Sequence, residues 1–226
     1  MILLDDNFAT IVAAVEEGRV IYDNIRKFIR YLLSCNLGEV LTMFLASLLY
    51  LETPLLPIQI LFVNLVTDGL PAIALGVDPG DKDIMYQRPR PKNEHIFARG
   101  LKEKIIIRGS LIGICTVITF LSGKYYGMSL EASRTLALGT LIMSQLIHVF
   151  ECRSEKHSIF EINLFTNPYL VGAVLISVTM LCLVMYVPFL SGIFHTVPLN
   201  LGQWCIIIFF SGIIAFINSL YLFLKK

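Results

Sequence analysis

The chain has 226 residues, of which 56% are hydrophobic and only 15% are charged, and its mean hydropathy is +0.73. Soluble domains carry about 25% charged residues, so this composition excludes an ordinary soluble enzyme. The 18 basic and 17 acidic side chains nearly balance and give no indication of a nucleic-acid partner. The five cysteines form no CxxC pair, which predicts neither a disulfide framework nor a thiolate metal site.

The apolar stretches predict an all-α bundle of six membrane-spanning helices. Residues 162–224 contain no Asp, Glu, Lys or Arg, which leaves room for two crossings of about 20 residues and a turn. Pro188, Gly192 and Pro198 supply that turn. Two earlier stretches of low charge are long enough for one crossing each, and two more, of 15 and 16 residues, reach that length if their flanking Lys and Arg side chains extend toward the headgroups. The predicted spans lie at about residues 31–51, 55–76, 105–123, 134–150, 167–189 and 201–224.

The basic residues fix the expected orientation of these spans. With six crossings, 16 of the 18 Lys and Arg residues fall on one side of the membrane, and only Lys124 and Arg134 fall on the other. Basic residues concentrate in cytoplasmic segments of membrane proteins. The sequence therefore predicts an integral membrane protein in a lipid bilayer, with both termini in the cytoplasm.

Residues 5–30 predict a water-exposed helix that precedes the first span. Asp5, Asp6 and Asn7 are candidates for its N-cap, and Gly18 is expected to end it. A second helix then runs from Arg19 to Leu51, about 33 residues or about 50 Å, so about 20 Å of a cytoplasmic stalk should extend beyond the bilayer core. Residues 78–104, with three prolines and mixed charge, predict a surface loop.

Two carboxylates, Glu39 and Asp68, interrupt the apolar spans. An ionisable group at membrane depth costs about 2.5–3.5 kcal/mol on insertion scales, so each needs a partner or a function. Counted from Tyr31 and from Val77, the two carboxylates lie about 12 and 14 Å from the same side of the membrane. Two neighbouring antiparallel helices therefore present them at one level.

Polar residues share the helix faces of both acids. Asn36 precedes Glu39 by three residues, while Asn64 and Thr67 lie on the face of Asp68. These oxygen donors suit Ca²⁺, Mg²⁺, Mn²⁺ or alkali ions rather than copper or zinc. They offer at most seven side-chain oxygens, which is enough for one Ca²⁺ with help from water or Gln145. The alternative is that the amides and Thr67 hold helices together and the acids pair with a partner chain.

Three further features concern helix packing near these groups. Pro71, just after Asp68, predicts a kink or an unwound turn in the second span. Gly109 and Gly113 form a GxxxG pattern at the start of the third span, which indicates close helix packing. Gln145 and His148 in the fourth span could reach the polar cluster, although a lone amide or histidine is more commonly a packing group.

The segments Asn36-Leu-Gly-Glu39 and Asn64-Leu-Val-Thr-Asp68-Gly-Leu-Pro71 resemble the C-terminal membrane half of P-type cation-transporting ATPases. The resemblance is strongest to calcium pumps of the reticulum type and their bacterial relatives. Residues 5–19 are similar to that family's hinge between phosphorylation domain and fifth helix, and residues 96–100 also fit. The resemblance implies the tail of a phosphorylation domain at 1–18, a cation-transporter membrane domain at 19–226, and location in a bacterial plasma membrane.

The resemblance also implies roles for single residues. Its expected metal ligands are Asn36, Glu39, Asn64, Thr67, Asp68 and Gln145. The last of these stands where reticulum pumps have a glutamate on their eighth helix, and this departure implies one transported Ca²⁺ per cycle, as in plasma-membrane pumps. No catalytic or cofactor-binding residue is expected within the chain.

The sequence contains no Asp-Lys-Thr-Gly-Thr phosphorylation motif and no Pro-Glu-Gly-Leu-Pro of the fourth helix. We therefore expect a fragment, or a reading frame begun at an internal methionine, that cannot hydrolyse ATP alone. Its expected partner is the N-terminal half of the pump, and ATP and Mg²⁺ act only in the full-length protein. The alternative from another class is a small non-enzymatic secondary carrier or scaffold that uses Glu39 and Asp68 for proton or sodium coupling. An inverted repeat would favour a carrier, and the two halves show none.

Overall fold

The structure, a computed structural model, describes residues 8–81, 83–86, 89, 91, 94–154 and 164–224. For residues 214, 215 and 217–224 it describes the backbone only. The described residues are mostly helical and contain no strand, which confirms the all-α prediction. The helices are α1 (Phe8–Leu48), α2 (Pro57–Gly76), α3 (Leu101–Tyr125), α4 (Leu130–Cys152), α5 (Pro168–Tyr186), α6 (Pro188–Phe194) and α7 (Leu201–Leu224). Short 3-10 turns lie at Ile84–Tyr86 and Leu164–Thr166.

Five of the helices in the described part of the chain, α1 to α5, are long and apolar enough to cross a bilayer. They coincide with the first five predicted spans and confirm a polytopic membrane bundle. Helix α7 coincides with the sixth span, but its described apolar part, Leu201–Ile213, is shorter than a crossing. The count of six is therefore approximate.

Helix α1 is continuous over 41 residues, so the predicted end at Gly18 is wrong. A glycine inside a helix costs only about 0.5–1 kcal/mol relative to alanine, which the unbroken hydrogen bonding on both sides outweighs. At 1.5 Å per residue the helix is about 60 Å long, so about 30 Å extends beyond the bilayer core. The predicted N-cap residues Asp5, Asp6 and Asn7 lie outside the described residues.

The predicted water exposure of residues 5–30 is wrong for the end nearest the membrane. Four polar side chains there are buried: Asn24, Arg26, Lys27 and Arg30. Arg30 donates to the backbone oxygens of Glu151 (3.2 Å) and Ser154 (3.4 Å). The other three bind described residues of the 78–100 segment, most of which lie at the surface as predicted. Arg26 donates to the carbonyl oxygens of Ile96 (2.7 Å) and Ala98 (3.0 Å), and Arg19 donates to that of Ile84 (2.9 Å).

Helix α2 changes its winding in the segment that carries the polar residues. Two α-helical segments flank a π-helical turn at Val63–Asp68. The sequence predicts a kink or unwinding at Pro71, and the structure instead widens the turn just before it. Because Pro71 has no N–H and crowds the preceding turn, a wider winding there accommodates the proline without breaking the helix.

Helices α1 and α3 pack backbone against backbone, as the GxxxG pattern predicts. A Cβ at Gly113 would lie 2.9 Å from the carbonyl oxygen of Gly38, and one at Gly109 would lie 2.8 Å from that of Ser34. Only glycine permits so close an approach. The contact fixes the turn of α1 that carries Glu39.

At the opposite end of the bundle, Lys124 and Arg134 hold the loop between α1 and α2. Lys124 forms an ion pair with Glu52, and Arg134 donates to the backbone and hydroxyl oxygens of Thr53 (2.9 and 3.1 Å). The hydrogen bond from Lys124 holds the pKa of the Glu52 carboxyl below its usual range.

Candidate cation site

The carboxylates of α1 and α2 meet at one amide of α4. Nε2 of Gln145 donates to Oε1 of Glu39 at 3.0 Å and lies 3.5 Å from Oδ2 of Asp68. All three side chains are buried. The two acids are therefore within reach of a single nitrogen atom, in agreement with the common depth counted from the sequence.

Each carboxylate has a second neutral donor. Nδ2 of Asn64 donates to Oε2 of Glu39 at 2.8 Å, and the hydroxyl of Tyr31 donates to Oδ1 of Asp68 at 3.1 Å. Neither Glu39 nor Asp68 forms an ion pair within the described part of the chain. The site thus holds two acidic groups side by side with amide and phenol donors and without a protein cation.

Two of the predicted ligands are placed differently. The Thr67 side chain is buried, but its hydroxyl donates to the carbonyl oxygen of Val63 in its own helix at 2.9 Å. Asn36 is exposed and makes no hydrogen bond to the cluster. Asn64 is also exposed, although it binds Glu39. The structure therefore brings together Glu39, Asn64, Asp68 and Gln145, and it leaves the side of the site next to Asn36 open.

The chemistry of the site fits a hard divalent cation. Two like charges in a buried site repel each other, and one divalent ion neutralises both. Oε1 of Gln145 is buried without a hydrogen-bond partner, so this oxygen is available to an ion. Among the described residues no group of three or more His, Cys, Asp or Glu could hold a metal. The remaining ligands must be neutral oxygens, water or another segment.

Tyr31 was not among the predicted site residues, whereas His148 was expected to be able to reach the polar cluster. Tyr31 and Cys35 precede Glu39 by eight and four residues, so helical spacing places all three on one face and could have identified Tyr31. His148 does not reach the carboxylates. It contacts Nε of Arg108 (3.1 Å) and Oε2 of Glu151 (2.9 Å) in a separate buried network, with its ring centroid 6.4 Å from that of Tyr31.

A helical membrane bundle with two buried acids and converging amides is a candidate for an intramembrane cation site. Comparison of the chain with known protein families identifies the class of protein to which it belongs. Residues 52–224 match the family described as cation transporting ATPase, C-terminus. The match covers most of the chain, and the chain belongs to this family.

Curated relatives agree with this assignment. The chain is 51% identical over 227 residues to a calcium-transporting ATPase of Bacillus subtilis, which covers all of the chain and 25% of the relative. It is 44% identical to calcium-transporting ATPase 1 of Bacillus cereus, over all of the chain and 27% of the relative. The endoplasmic reticulum calcium ATPase srcA of Aspergillus fumigatus is 35% identical over 97% of the chain and 26% of its own length. The chain thus spans about a quarter of the curated relatives that it matches.

Proposed function

We propose that this chain is the ion-binding membrane part of an ATP-driven calcium pump. The observation that carries the proposal is the convergence of Glu39 and Asp68 on the amide nitrogen of Gln145. In this proposal the amide of Gln145 lies between the two acids, at the position that the transported cation takes when it binds. The relatives named above carry calcium transport in their names, which favours Ca²⁺ over other hard cations.

The oxygen supply of the site supports one ion. Ca²⁺ takes six to eight oxygen ligands, and the two carboxylates provide at most four. Asn36, Asn64, Thr67 and Gln145 can add one oxygen each after side-chain rotation. Two divalent ions would exceed both the oxygens and the two negative charges present. We therefore infer one Ca²⁺ per transport cycle.

The pump also requires the N-terminal part of the protein, because the chain spans about a quarter of its relatives. In the proposed full-length pump, meaning this chain joined to that part, phosphorylation by ATP with Mg²⁺ takes place outside the chain. A segment of the N-terminal part covers the open side beside the exposed Asn36 and Asn64. Without the N-terminal part, the chain hydrolyses no ATP. Residues 1–18 then connect to the phosphorylation domain, and both termini lie in the cytoplasm of a bacterium.

The test is ATP-driven uptake of ⁴⁵Ca²⁺ into sealed vesicles that contain the full-length pump. The proposal expects uptake by the wild type and none by Asp68→Asn. Glu131→Gln is the matched control, because this acid is exposed at the start of α4 and lies outside the site, and it should transport like the wild type. Calcium uptake driven by a proton or sodium gradient without ATP would refute the proposal and favour a secondary carrier.

A further inference from the structure

A second buried polar cluster lies at the end of α2, apart from the cation site. The Asp78 carboxylate accepts hydrogen bonds from Nζ of Lys27 (2.8 Å), Nε of Arg153 (3.0 Å) and Nδ2 of Asn167 (2.9 Å). Its backbone oxygen accepts one from Nδ2 of Asn24 (2.7 Å). All five side chains are buried. One carboxylate therefore joins α1, the end of α2, the end of α4 and the start of α5.

The cluster connects the two helices that carry the acids of the cation site. Asp78 lies ten residues after Asp68, which is about 15 Å along a helix, and Lys27 lies twelve residues before Glu39, which is about 18 Å. Because α1 is continuous, a movement of its exposed N-terminal part reaches Glu39 directly. Asp68 stands on another helix, so the same movement reaches it only through contacts between the helices.

Asp78 makes charged contacts between these helices. Its buried carboxylate pairs with two buried cations, Lys27 and Arg153. Within the described residues, Asp78 is the acid that pairs with the Lys27 ammonium. A buried ion pair adds little net stability because desolvation offsets its attraction, but loss of one partner is destabilising because it leaves an uncompensated buried charge. Such a group serves to fix the relative position of helices.

We propose that Asp78 is a positioning residue that couples movement of the α1 extension to α2 and so to Asp68. The inference rests on the proposed function, in which the N-terminal part acts on that extension. Asn24 continues to bind the backbone of residue 78 when the side chain changes, so loss of the carboxylate loosens the coupling without detaching the segment.

The test compares Asp78→Asn with the wild type in the full-length pump. The variant keeps the size of the side chain and removes its charge. We expect equilibrium Ca²⁺ binding within about twofold of the wild type and at least a threefold fall in Ca²⁺ transported per ATP hydrolysed. The matched control is Glu131→Gln, which removes an acid that is exposed at the start of α4 and lies outside this cluster. An unchanged ratio, or equal losses of binding and hydrolysis, would overturn the inference.

A second variant guards against misfolding of the first. Lys27→Gln breaks the same link from α1 and keeps the pair between Asp78 and Arg153, so it should give the same fall in transport per ATP. Wild-type transport per ATP in this variant would count against the coupling.

A further measurement does not depend on which ion is transported. Phosphorylation of the wild type should change amide hydrogen exchange in both residues 8–25 and the Gly69–Gly76 segment of α2. In Asp78→Asn the change should persist in residues 8–25 and fall at least threefold in Gly69–Gly76. Equal responses in both proteins would refute the role of Asp78 even if the pump transports calcium. Failure of the wild type to transport calcium would refute the proposed function and leave this comparison decisive for Asp78.

Discussion

The sharpest prediction compares the loss of a charged ligand with the loss of a neutral one. Asp68→Asn removes one of the two buried negative charges but preserves shape. Gln145→Ala removes the amide that bridges both acids and preserves the charges. We expect the first change to abolish calcium binding and the second only to weaken it.

The magnitudes follow from charge and distance. Two unit charges 4 Å apart interact by about 4 kcal/mol at an effective dielectric constant of about 20, and a divalent ion doubles the charge on one side. Even the lower figure weakens binding about a thousandfold, since about 1.4 kcal/mol corresponds to a factor of ten. A hydrogen bond to a charged group contributes about 1.5–3 kcal/mol, so loss of the neutral Gln145 should weaken binding about ten- to hundredfold.

Equilibrium ⁴⁵Ca²⁺ binding to the full-length pump measures both effects. The account predicts no saturable binding by Asp68→Asn at calcium concentrations that saturate Gln145→Ala, with Glu131→Gln like the wild type. Comparable affinities for Asp68→Asn and the wild type would refute the reasoning. A larger loss in Gln145→Ala than in Asp68→Asn would do the same, because it would make the amide rather than the charge the principal ligand.

Three further predictions concern positioning, packing and topology. Tyr31→Phe removes the 3.1 Å hydrogen bond to the α2 carboxylate and should weaken calcium binding about tenfold, in the same binding assay, without lowering the unfolding temperature by more than a few degrees. Gly113→Ala should destabilise the protein by about 1–3 kcal/mol in thermal unfolding, because the new Cβ meets a backbone oxygen. The control Gly172→Ala should not, because a Cβ there enters open space, and equal effects of the two changes would contradict the close packing of α1 and α3. In intact cells a membrane-impermeant thiol reagent should label Pro198→Cys but not His95→Cys above the background of the unmodified chain. The reverse pattern would overturn the topology with both termini in the cytoplasm.

Charge and hydropathy predicted the helical bundle well, because the bilayer imposes both length and polarity on a spanning helix. Helical spacing likewise predicted that Glu39 and Asp68 share one depth, since depth depends only on the rise per residue. Spacing could not predict that Gln145 bridges them, because this contact depends on how α4 packs against α1 and α2. It also could not orient Asn36, which the structure leaves exposed.

The errors at the end of α1 have one physical cause. Residues 5–30 were predicted to form a water-exposed helix, yet Lys27 and Arg30 are buried because Asp78 and the backbone oxygens of Glu151 and Ser154 bind them. These partners lie between 51 and 124 residues away along the chain. Local sequence patterns carry no information on such distant pairs. The error at Gly18 has a different cause, because the hydrogen bonding of the continuous helix α1 on both sides of the glycine outweighs its local preference for a break.

The most direct test of the central claim is an experimental structure of the full-length pump in the presence of Ca²⁺. The account predicts one calcium ion, with carboxylate oxygens of both Glu39 and Asp68 at about 2.3–2.6 Å from it. Gln145 should then present its oxygen to the ion instead of its nitrogen to the acids. A calcium ion bound without either carboxylate, or two ions at this site, would contradict the account.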